Sequence, residues 1–222
     1  LSEPFEILFV LYPKFDQLDF AGPYEVFFRI ANVKIRLASP DGGDLETESG
    51  LVYRGMEKLA DVERCDLICI PGGGDQSAMM TPEVLDHVRR LSADARYVTS
   101  VCNGSLILAR AGVLEGKRSA CHWSFRHLLS DYGAIPDDAR VVRDGRFFSG
   151  GGVTSGIDFA LVVAAEVFGE TTAQAQQLII EYAPQPPFNA GRPETAPPEV
   201  LKAFDAMFGD ALRSVGGFVP QV

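Results

Sequence analysis

One repeated pattern limits what this chain can fold into: short apolar runs, each ending at a Gly- or Pro-bearing turn. Phe5 to Leu11 is broken by Tyr12-Pro13, Asp66 to Ile70 runs into Pro71-Gly72-Gly73-Gly74, and Tyr97 to Val101 ends at Cys102-Asn103-Gly104. Such runs, with no polar alternation, suit strands buried on both faces. Between and after them lie stretches with helical character. Pro82 to Ala93 places Val84, Leu85, Val88 and Leu91 on one face, and Ile157 to Phe168, Ala173 to Tyr182 and Glu199 to Val215 also read as helices. Strands alternating with helices predict an α/β fold: a doubly wound, mainly parallel sheet with helices on both faces.

The remaining segments fill in that plan. Val33 to Ala38 reads as a strand, Ser39 to Gly50 as a loop or hairpin, and Leu51-Val52-Tyr53 as its pairing partner. Pro23 fits the first turn of a helix, which leaves Asp19 in the loop before it. Gly116 to Trp123 reads as a turn and short strand, and Ser124 to Tyr132 as helical. Ala139 to Ser149 reads as a hairpin turning at Asp144-Gly145. Pro184 to Phe188 ends the compact part, so residues 1–222 form one domain with a Pro-rich segment and helix from about 184.

Composition excludes several classes. A net charge of −10 with no basic stripe argues against a nucleic-acid partner. No apolar run is long enough to span a bilayer. Four cysteines in 222 residues are too few for a disulfide framework. The first residues lack the basic start and cleavage site of a secretory signal, and the cysteine usage leads to the expectation of a reducing cytoplasm.

The chemistry centres on Cys102. A thiol at a strand-to-helix corner is presented at the C-terminal edge of the sheet, where the helix N-terminus favours thiolate. Asp19, Gly73 and Cys102 all fall just past strand ends, which converge on one crevice in a parallel sheet. A thiol, a carboxylate and backbone donors make an acyl- or imidoyl-transfer site. Asp19 also suits a helix cap, and the glycines a tight turn. His122 either assists Cys102 or is a satisfied structural side chain, and His87 reads as a helix-surface residue. Cys65 with Cys69, and His122 with His127, are poorly spaced as metal ligands, so no metal is expected. The glycine run matches neither a Walker loop nor a dinucleotide fingerprint, so no nucleotide cofactor is expected.

Several runs together resemble a known family. They are Gln17-Leu18-Asp19 with Gly22-Pro23, Ile70-Pro71-Gly72-Gly73, Thr99-Ser100-Val101-Cys102 with Gly104-Ser105, and His122-Trp123. Supporting runs are Val141 to Gly145, Gly150 to Ala160, and the more specific Glu181 to Gly191. The chain is similar over nearly its whole length to the ThiJ/PfpI branch of the glutamine-amidotransferase-like superfamily, and within it to the isonitrile-hydrating members. The resemblance implies a flavodoxin-like, class I glutamine amidotransferase-like fold. It further implies a homodimer that needs no cofactor and hydrates an isonitrile, R–N≡C, to the N-formamide. Cys102 would attack the terminal carbon to give a thioimidate, and Asp19 would move protons and place the water. The backbone amides of Gly73 and Asn103 match the anion-holding position. One departure stands out: those members carry Thr after the nucleophile, where this chain has Asn103. The alternatives are a glyoxalase- or deglycase-like cysteine enzyme of the same branch, and a non-catalytic small-molecule or redox sensor.

Overall fold

The computed structural model describes residues 3–213. In chain order the elements are β1 (Phe5–Val10), α1 (Gln17–Phe27), β2 (Val33–Ser39), β3 (Gly43–Glu46), β4 (Val52–Lys58), β5 (Leu67–Ile70), α2 (Pro82–Asp94), β6 (Tyr97–Val101), α3 (Gly104–Arg110), β7 (Arg118–Ser119), β8 (Ile135–Pro136), β9 (Val141–Asp144), β10 (Phe147–Gly150), α4 (Ser155–Phe168), α5 (Glu170–Ile179) and α6 (Pro198–Arg213).

Eight strands form one sheet in the order β3-β4-β2-β1-β5-β6-β10-β9. Neighbours from β4 to β10 are parallel, and only the edge strands β3 and β9 run antiparallel. The apolar runs occupy the centre: Ile7 to Leu11 and Leu67 to Ile70 are wholly buried. Helices α1, α4 and α5 pack together as one group, and α2 packs with α3 as another. From β1 the chain winds outward to β2; from β5 it winds the other way to β6. The switch between β1 and β5 opens a crevice at the C-terminal ends of the strands.

Local chemistry explains the element boundaries. Thr81 caps α2 by accepting the Val84 N–H, with Pro82 in the first turn. Val84, Leu85, Val88 and Leu91 form its buried face. Gly112, at φ +74°, stops the chain just past α3.

Three expectations need correction. Asp19 is not in the loop before α1: the helix starts at Gln17, and Asp16 is its cap, accepting the Leu18 N–H at 2.9 Å. Pro23 accordingly lies inside α1 rather than in its first turn. Lacking an N–H, it leaves the Asp19 carbonyl without its helical donor. In the hairpin, Asp144 pairs with Phe147, so the bend sits at Gly145 and Arg146, with Gly145 at φ +62°. Residues 126–132 form a 3-10 helix rather than a longer regular one. The helix expected to Val215 is described to Arg213, and its last two residues lie outside the described residues.

Candidate active site

Cys102 occupies the corner between β6 and α3 with φ +58°, a left-handed conformation rare for a side chain with a Cβ. The strain is held in place from several sides. The Cys102 N–H donates to Gly150 O at 3.0 Å, and Ser105 Oγ donates to Cys102 O at 3.2 Å. Gly104 lets the corner close against the end of β5. A Cβ at Gly104 would lie 2.2 Å from Ile70 O and 2.7 Å from Pro71 O, backbone atoms that cannot step aside. Gly104→Ala is therefore expected to destabilise the protein by about 3 kcal/mol, the upper range for overpacking, as read from urea unfolding. Wild-type stability in that variant would mean that the two segments are not in this close contact.

Asp19, in the first turn of α1, is 0% exposed and points into the crevice. Its Oδ2 accepts the Gly72 N–H at 2.8 Å. The Cys102 thiol interacts with the same carboxyl, and Oδ1 is buried without a well-formed hydrogen bond. Burial pushes the Asp19 carboxyl well above the usual carboxylate range, and the charges of Asp16 and Glu48 push the same way. Burial likewise pushes the Cys102 thiol well up, with Asp19 the next cause; the Asn103 N–H only partly opposes this. Burial beside a carboxyl thus works against the thiolate expected from the N-terminus of α3, a helix of seven residues.

The glycine loop after β5 meets the elbow through Asn103. The Gly73 N–H donates to Asn103 Oδ1 at 2.9 Å, and Asn103 Nδ2 donates back to Gly73 O at 3.0 Å. The expected pairing of Gly73 and Asn103 amides as open anion donors is therefore not the arrangement at rest. The Gly73 amide is occupied, while the Asn103 N–H favours the ionised sulfur.

The pair opens onto a cavity of about 820 Å³. His122, Phe125 and Val153 line one side, and Phe204 and Phe208 of α6 reach over it. His122 is brought to the cavity, but its Nδ1 accepts the Ser124 N–H at 3.3 Å, and burial holds the ring below its ordinary pKa. Cys65, Cys69 and Cys121 are free buried thiols pushed up to about 12, chiefly by burial. No three His, Cys, Asp or Glu side chains among the described residues form a group able to hold a metal ion. Nor is any helix among them long and apolar enough to cross a membrane.

The sequence did not reveal the supporting layer. Tyr12, wholly buried, donates to Pro71 O at 3.0 Å, and Gln76 Nε2 donates to Asn103 O at 3.0 Å. Tyr12 follows the β1 run directly, a weak signal of a strand-end side chain. Gln76 has no local signature. The reach of Phe204 and Phe208 depends on the path of the chain after α5.

Comparison with known proteins fits this geometry. The model of the DJ-1/PfpI family matches residues 5–166. Isonitrile hydratase of Pseudomonas putida is 47% identical over 197 residues, 88% of this chain and 86% of that protein. Protein dj-1beta of Drosophila melanogaster is 27% identical, over 79% of this chain and 97% of that protein. The crystal structure of a ThiJ/PfpI family protein from Pseudomonas syringae superposes with a TM-score of 0.89 at 37% identity, covering 97% of this chain and 91% of that one.

Proposed function

We propose that this chain, which belongs to the DJ-1/PfpI family, is a hydro-lyase that hydrates isonitriles to N-substituted formamides through a thioimidate on Cys102. The observation that carries this reading is the buried pairing of the Asp19 carboxyl with the Cys102 thiol, both pushed up by burial. The identity to the Pseudomonas putida isonitrile hydratase supports the substrate class.

The bond changes balance with these groups and one water. The terminal carbon of R–N≡C is basic, and becomes electrophilic once protonated. Asp19 gives its proton to that carbon, the Cys102 sulfur bonds to it, and the thiol proton passes to the carboxylate. The result is R–N=CH–S on Cys102. Asp19 then gives its proton to the nitrogen as water adds to the same carbon, and the carboxylate takes a proton from that water. The C–S bond breaks as the new hydroxyl gives its proton to the sulfur, and R–NH–CHO leaves. Nothing is oxidised or reduced. Phe125, Val153, Phe204 and Phe208 line the cavity and offer apolar contacts to the R group. The Asn103 N–H holds negative charge on the sulfur, and Gly73 fixes the position of Asn103.

The test is formamide formation from a simple alkyl isonitrile, with methylglyoxal assayed in parallel. Turnover of methylglyoxal without turnover of the isonitrile would replace this reading with the glyoxalase-like one. Because the thiol, carboxyl and water account for every bond change, exhaustive dialysis against a chelator is expected to leave the rate unchanged. A loss restored by added metal would contradict the cofactor-independent scheme. The proposal includes a cytoplasmic homodimer that binds no nucleic acid. Light scattering reads the oligomeric state.

A further inference from the structure

We infer that the Asn103 side chain is a specificity-determining clamp: it fills the anion hole of the elbow and commits Cys102 to electrophiles whose capture by the sulfur puts no negative charge on oxygen. The inference rests on the proposed role of Cys102 as nucleophile. At a strand-to-helix elbow, the N–H after the nucleophile ordinarily joins an N–H from a neighbouring loop to hold a developing oxyanion. Here the neighbouring loop follows Pro71, and its first two amides are both occupied. Gly72 N–H donates to Asp19 Oδ2 at 2.8 Å and Gly73 N–H to Asn103 Oδ1 at 2.9 Å.

The clamp is closed on both sides. Asn103 Nδ2 bonds Gly73 O at 3.0 Å, so swinging the amide away breaks two buried hydrogen bonds. Gln76 Nε2 holds the Asn103 carbonyl at 3.0 Å, and Asn103 is only 2% exposed. Only an amide fits this role: Oδ1 accepts from the N–H while Nδ2 donates to the C=O. Adding a thiol and a proton to an isonitrile carbon places charge on carbon, nitrogen and sulfur. Acyl transfer from an ester places it on the carbonyl oxygen. Filling the hole leaves capture of the isonitrile by sulfur intact and handicaps capture of the ester.

The experiment treats wild type, Asn103→Ala and Asn103→Ser separately with p-nitrophenyl acetate and with iodoacetamide. Modification at Cys102 is timed by mass spectrometry. The ester forms a thioester, releases p-nitrophenolate and passes through an oxyanion. Iodoacetamide loses iodide from a saturated carbon and needs no anion hole. The ratio of the two rates therefore removes general changes in thiol reactivity. It is expected to rise at least about tenfold in both variants, part of the ~10²–10³ that one oxyanion donor supplies. An unchanged ratio in the folded Ala and Ser variants would overturn the clamp while leaving the nucleophile in place. No modification of Cys102 by either reagent would remove the nucleophile, and the clamp with it. If neither variant folds, the wild type decides: the Gly73 amide is expected to exchange slowly with deuterium, and exchange at the rate of an open loop overturns the proposal.

Discussion

Cys102→Ala and Cys102→Ser are expected to lose formamide formation by on the order of 10⁴-fold or more, the scale seen when a covalent nucleophile is removed. Alanine has no atom to bond the isonitrile carbon. Serine keeps the shape, but its hydroxyl is a harder and far less acidic nucleophile, and the Asp19 carboxyl is no base strong enough to ionise it. The fold is expected to survive both changes. The corner is held by Gly150 O and by the closeness of Gly104 to β5, not by the sulfur. At φ +58° alanine is as strained as cysteine, and only glycine is relieved. Cys102→Gly should therefore melt above Cys102→Ala while being equally inactive. Cys65, Cys69 and Cys121 are pushed up to about 12, chiefly by burial, and none of them sits at the strand-to-helix corner. Serine at each of those positions should lower stability and leave most turnover. Turnover retained in Cys102→Ala would end the thioimidate mechanism.

The chain announces its layers and hides its supports. Apolar runs at β1, β5 and β6 were legible because strands buried on both faces must be apolar throughout. Their order in the sheet placed Asp19, Gly72–Gly73 and Cys102 at one crevice, and the side chains meet there. The start of α1 was misjudged because Pro23 imitates a first-turn residue, whereas packing against α4 carries the helix through it. The dipole argument for a thiolate left out burial beside a carboxyl, which works the other way. The Asn103–Gly73 clamp was illegible because it joins residues 30 apart through a side-chain amide, and no local pattern encodes that contact. The site as seen in the sequence was a set of strand ends. Its proton inventory and occupied donors emerge only from burial.

Asp19→Asn separates a proton-handling carboxyl from a merely structural one. A cap role is already assigned elsewhere, since Asp16 accepts the Leu18 N–H. Asparagine keeps an oxygen that accepts the Gly72 N–H, so the loop stays in place. What it loses is the proton that the isonitrile carbon must receive. The rate is expected to fall on the order of 10²-fold or more, the usual contribution of general acid–base catalysis. Two further measurements exclude a trivial loss of fold. Asp19 is the second-largest cause raising the Cys102 thiol, so its neutralisation should shift the pH profile of iodoacetamide alkylation toward lower pH. Stability should respond with the opposite sign to that of an ordinary carboxylate. Burial raises the Asp19 pKa in the folded state. Its contribution is therefore full below the unfolded value of about 3.9 and is lost as pH rises through the folded value. Asparagine removes that loss, so the variant should gain on wild type in thermal unfolding as pH increases. Near-wild-type turnover with an unshifted alkylation profile would leave Asp19 without a chemical role. Carbon protonation would then need another donor, and the scheme built on the buried pair would fall.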